Sequence, residues 1–113
     1  MENPFRDAFY AYAKTRRGLS TVNYDMIVGI IKKADLFVPP AFNESVFQRE
    51  FKRAYGLTGE KERDFQEFND VCQKIIAPLL AKAKGVDAKE ATKAMQDAII
   101  AKQPKSVSEK IIK

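Results

Sequence analysis

Glu60, Asp64 and Glu67 stand at i, i+4 and i+7, a spacing that puts three carboxylates on one face of a helix. Such a group can hold Mg²⁺ or Ca²⁺, or pass protons as an acid–base set. Helical two-metal sites add a Glu-x-x-His, and this chain of 113 residues has no histidine. Carboxylates also suit the first turns of a helix, where the backbone dipole is positive. We read the three residues as that solvated helix start.

Without histidine there is no Ser-His-Asp or Cys-His nucleophile and no imidazole zinc site. The single cysteine, Cys72, rules out an internal disulfide and any multi-thiolate cluster. It sits on an apolar seam between Phe68 and Ile75, which suits a buried structural thiol better than a reactive one. No phosphate loop, calcium loop or Gly-x-Gly-x-x-Gly motif occurs. The expectation is a non-enzyme with no metal, cofactor or small-molecule substrate.

Two binding chemistries remain. Twenty basic residues against fifteen acidic ones give a net charge of +5. Basic residues cluster at Arg16/Arg17, Lys32/Lys33 and Lys52/Arg53. If they shared one face they would bind phosphates, so a small nucleic-acid-binding regulator is the second reading. Lysine and arginine at helix C-termini also serve the dipole, and all three clusters fall at expected helix ends. The leading reading rests on apolar residues found where they need a reason. Leu36, Phe37 and Val38 precede Pro39-Pro40 in what should be an extended surface connector. Ile111 and Ile112 sit in a lysine-flanked tail. An exposed apolar stretch in a loop or tail can dock another protein, and we take these five as candidate partner contacts.

The elements that would carry these residues are helices. Asn3-Pro4 is an N-cap with proline at the first helical position, followed by Phe5, Ala8, Phe9 and Tyr12 on one face. Lys14 to Arg17 and Gly18 read as the end of this first helix. A second should start near Ser20 or Thr21 and bury Tyr24, Ile27, Val28 and Ile31. Asn43 caps a third, with Val46, Phe47, Phe51, Ala54 and Tyr55 inward and Gly56 as its stop. A fourth should run from Thr58 through Phe65, Phe68, Cys72, Ile75 and Leu79, kinked or split at Pro78. Asp87 opens a fifth with Ala91, Ala94, Met95, Ala98 and Ile99 inward, and Ser106 could open a short last one. No strand pattern stands out.

The fold expected is all-α, a compact bundle or orthogonal array of five to six short helices in one domain spanning residues 1–113. Every aromatic lies between Phe5 and Phe68, so the main core should belong to residues 3–80, with an alanine- and lysine-rich helix and tail over 86–113. The longest apolar run, Ile75 to Ala81, is far short of the about 20 residues a membrane span needs. With no signal-peptide pattern and one thiol, a soluble cytoplasmic protein is expected.

One stretch resembles a known family. Gly18-Leu19-Ser20, Tyr24-x-x-Ile27, Phe47, Phe51, Tyr55, Leu57-Thr58, Glu60, Glu62-Arg63, Phe65 and Phe68-Asn69 are similar to the helical region ahead of the von Willebrand A domain in CoxE-like proteins, which work beside MoxR-type AAA+ ATPases. The similar stretch covers about residues 9–70. The chain has neither that domain nor its Asp-x-Ser-x-Ser metal motif, so no metal site is carried over. The resemblance implies an adaptor in a larger assembly.

Overall fold

The computed structural model describes residues 3–56 and 61–103. Each helix that starts afresh among them opens on an Asn or Asp whose side chain accepts the N–H three residues on. The pairs are Asn3 with Arg6, Asn23 with Met26, Asn43 with Val46, Asp64 with Glu67 and Asp87 with Glu90. These bonds satisfy helix-start donors that would otherwise lack partners. They set the order α1 (Pro4–Tyr12), α2 (Tyr24–Lys33), α3 (Glu44–Tyr55), α4 (Phe65–Val71), α5 (Ala77–Lys84) and α6 (Ala88–Ala101). Between α1 and α2 lies a small antiparallel hairpin, β1 (Lys14–Arg16) with β2 (Leu19–Thr21).

The hairpin corrects the expected first and second helices. α1 stops at Tyr12, where Ala13 turns to extended backbone (φ −70°, ψ 155°). Arg17 and Gly18 both take positive φ, 51° and 80°, the signature of the two-residue turn whose twist suits a hairpin. Ser20 and Thr21, expected to start a helix, form β2 instead, and the cap moves to Asn23. Val22 is fully buried and exchanges both backbone hydrogen bonds with Arg63 (2.9 and 2.8 Å), which pins the hairpin's base to the entry of α4.

α4 also starts later than expected, at Phe65 rather than Thr58, because Asp64 and Glu67 form a reciprocal capping box. It does not break at Pro78. Residues Cys72–Ile76 form a π turn in which the Ala77 N–H reaches back five residues to the Cys72 carbonyl. The wider turn gives room ahead of a proline that lacks an N–H and would crowd an α-helical carbonyl. The inserted residue also shifts the buried face, so that Leu80 rather than Leu79 is fully enclosed.

Two aromatic groups fill the core. Phe5 and Phe9 of α1 meet Phe65 and Phe68 with ring centroids 5.2–5.8 Å apart. Tyr24 of α2 packs on Phe47 and Phe51 of α3 at 5.8 and 5.1 Å. The alanine-rich α6 closes the same core through Ala91, Met95 and Ile99, and Tyr12 Oη donates to the Ile99 carbonyl (3.2 Å). Ala54 and Ala94, read as inward-facing, are exposed. The architecture is mostly helical, with the hairpin as the one departure from all-α among the described residues.

Candidate protein-interaction surfaces

Of the carboxylate face, Asp64 and Glu67 are described. Glu60 lies outside the described residues, Asp64 is a helix cap, and Glu67 closes the capping box and faces Lys61 at 3.8 Å. Among the described residues no group of His, Cys, Asp or Glu is placed to hold a metal ion. Cys72 is fully buried, and burial pushes its thiol well above the ordinary range.

The connector differs most from expectation. α2 ends in a Schellman motif: Asp35 N–H bonds the Lys32 carbonyl and Leu36 N–H bonds the Ile31 carbonyl, both at 3.0 Å, with Asp35 at φ 57°. That motif brings the residue after the left-handed position back onto the helix, so Leu36 is 3% exposed and belongs to the core. It is not available as a partner contact. Beyond it the chain doubles back instead of running extended. Val38 and Phe42 exchange backbone hydrogen bonds at 2.8 and 2.9 Å, with the cis Pro39-Pro40 pair between them. Phe42 is fully buried, Phe37 stands edge-on against it at 5.1 Å, and Phe37 and Val38 are half-buried against the core. Ile111 and Ile112 lie outside the described residues.

The basic candidates scatter. Lys32 pairs with Glu44 (3.0 Å) at the start of α3, and Lys33 lies 5.8 Å over the Tyr12 ring. Arg53 pairs with Glu50 (3.4 Å), and both Arg53 and Lys52 sit in the last turn of α3. Nine residues of helix separate Glu44 from Arg53, about 13 Å of rise, so these two clusters occupy opposite ends of α3. Arg17 is exposed in the hairpin turn, Arg16 pairs through its backbone with Leu19, and the Arg16 side chain lies outside the description.

Two grooves that the sequence did not flag have apolar linings, and the exposed large hydrophobics among the described residues border the first. Leu19 is 69% exposed and Tyr10 46%. They border a shallow groove of about 340 Å³ with Gly18, Ser20, Asp64 and Phe65. A second groove, of about 280 Å³, runs between α3 and the π turn, floored by Ala54, Ile75, Pro78 and Leu79 and rimmed by Glu50, Arg53 and Lys74. The rim cations are already matched, Arg53 by Glu50 and Lys74 by Asp70 (3.2 Å).

Arg63 was also missed. It is 5% exposed, and its guanidinium lies 4.8 Å from the Tyr55 ring and 5.1 Å from the Phe51 ring. The hydroxyls of Tyr24 and Tyr55 are buried without a hydrogen-bond partner among the described residues. Burial is the largest cause raising both phenols above their ordinary range; Glu44 adds to it at Tyr24 and Asp70 at Tyr55.

No family model, no curated protein and no solved structure matches the chain. Among the described residues no helix is long and apolar enough to cross a membrane.

Proposed function

We propose that this chain is a non-catalytic helical module that works by binding another protein, as an adaptor, accessory subunit or inhibitor. The observation that carries the reading is the exposed pair Leu19 and Tyr10 around the hairpin groove. A Leu side chain left largely in water forgoes about 1.5–3 kcal/mol of burial, which a partner would recover. The core does not need Leu19: α1, α2, α3 and α6 are packed through other residues. The similarity to the helical region of CoxE-like proteins points the same way, toward an adaptor. The proposal takes the setting to be cytoplasmic, where a lone thiol stays reduced.

The connector Leu36–Val38, the first choice from sequence, gives way to the hairpin surface, since Leu36 is core and its neighbours are half-buried. The test is affinity purification of the tagged chain from its host, followed by reconstitution with the purified partner in a calorimeter. A stoichiometric complex formed without nucleic acid is expected. Association that vanishes after nuclease treatment would refute the reading in favour of the basic, phosphate-binding one.

A further inference from the structure

The hairpin register leaves a strand edge open. In a two-residue hairpin the residues flanking the turn exchange hydrogen bonds and the next pair does not. Arg16↔Leu19 is therefore a bonded pair and Thr15↔Ser20 is not, in keeping with the 2.9 Å contact between the Thr15 and Ser20 hydroxyls. The Thr15 N–H and C=O then point away from β2. On the other strand, Val22 shows how outward groups are used here, because its own are both taken by Arg63. Among the described residues no hydrogen bond falls on the outward backbone of Thr15, which is exposed.

The exposed side chains of β1 and its turn include two cations, while Glu62 accepts from the Thr21 hydroxyl on the other strand (2.8 Å). Lys14 and Arg17 are exposed and have no carboxylate partner among the described residues. Lys14 and Leu19 also share a face of the hairpin, since strand positions two apart or directly opposite point the same way. An open edge, unmatched cations beside it and an exposed leucine on the same face together define a recognition chemistry.

We infer that β1 is a strand-addition site for an extended peptide that carries acidic and apolar side chains two residues apart, on the face it shares with Lys14 and Leu19. Its backbone bonds Thr15, its carboxylates meet Lys14 and Arg17, and its apolar positions lie toward Leu19. A second copy of this chain would bring Lys14 and Arg17 against their own kind, a like-charge pairing that disfavours self-association. The inference rests on the protein-binding reading and adds the place and the partner's chemistry.

The experiment selects a phage-displayed library of random peptides on the full chain, then measures the enriched peptide by fluorescence polarisation. Thr15→Pro removes the outward N–H and leaves the β1–β2 bonds, as proline is tolerated on an edge strand. Arg17→Asn removes a charge at a positive-φ position that asparagine accepts. Enrichment of sequences with an acidic and an apolar residue two apart is expected, with each variant weakening binding about fivefold, the scale of one lost hydrogen bond. Leu79→Glu, in the groove between α3 and the π turn, should leave affinity unchanged. Enriched peptides without acidic residues, or no enrichment, would overturn the inference. Binding lost in Leu79→Glu but retained in Thr15→Pro would overturn it while keeping the protein-binding reading. A dimer in sedimentation that Thr15→Pro abolishes would overturn it in favour of a second copy.

Discussion

Replacing Arg63 by Met should leave stability within about 1 kcal/mol of the wild type, even though the guanidinium is buried against two rings. The two cation–π contacts, at 4.8 and 5.1 Å, are each worth about 1–2 kcal/mol when desolvated. Taking the charge out of water costs several kcal/mol, and among the described residues no carboxylate pairs with it to repay that. The two terms nearly cancel, so an apolar side chain of similar length should serve. Arg63→Ala should cost about 2–3 kcal/mol, because it also removes the stem that packs on Phe51 and Tyr55. Arg63→Lys should fall between, since a compact ammonium cannot stack as a planar guanidinium does. Urea unfolding followed by far-UV circular dichroism gives all three values. If Met proves as damaging as Ala, the charge itself holds the site, and the cancellation argued from the rings is wrong.

Leu36→Ala should cost about 2–5 kcal/mol in the same assay, the range for emptying a buried leucine site, and a change below about 0.5 kcal/mol would return Leu36 to the surface. Cys72 should stay unreactive toward a thiol-specific disulfide reagent in the folded protein and react at once in denaturant, because burial holds the thiol in its protonated form; fast labelling of the native chain would refute its burial. The Tyr12 phenol is raised by burial from 10.0 to about 12. A phenol whose folded value lies higher stays neutral in the fold while the unfolded chain ionises. Its stabilisation is therefore whole below pH 10 and lost as pH rises toward about 12. Thermal unfolding should show that alkaline loss, and Tyr12→Phe should reduce it.

Much of the fold was legible because helix caps are local chemistry. Asn3-Pro4, Asn43, Gly56 and Asp87 each declare a boundary that the structure keeps. The hairpin was not legible, since Lys14 to Gly18 reads equally as a cationic helix end followed by a left-handed stop. Only the positive φ of Arg17, a conformation with no sequence mark for arginine, decides between them. The start of α4 could have been found, because Asp64 with Glu67 is a capping-box pattern nearer the apolar run than Thr58. Leu36 was readable too: an apolar residue just past a helix stop is what a Schellman motif folds back. The burial of Arg63 had no local sign, as it depends on Val22, forty-one residues earlier, reaching its backbone. The candidate site moved for the same reason, since exposure of Leu19 and enclosure of Leu36 are both settled by tertiary pairing.

The most direct test of the central claim, that this basic chain acts on protein rather than nucleic acid, is a salt titration. Polarisation of labelled duplex and single-stranded DNA and RNA should be followed from about 50 to about 200 mM salt. With Lys32 and Arg53 paired to carboxylates at opposite ends of α3, the account predicts binding no tighter than about 10⁻⁴ M, the weak end of the non-specific range, even at the low-salt end. Micromolar binding that falls about a thousandfold across that range would mean some six phosphate contacts converge on one face, and would contradict it.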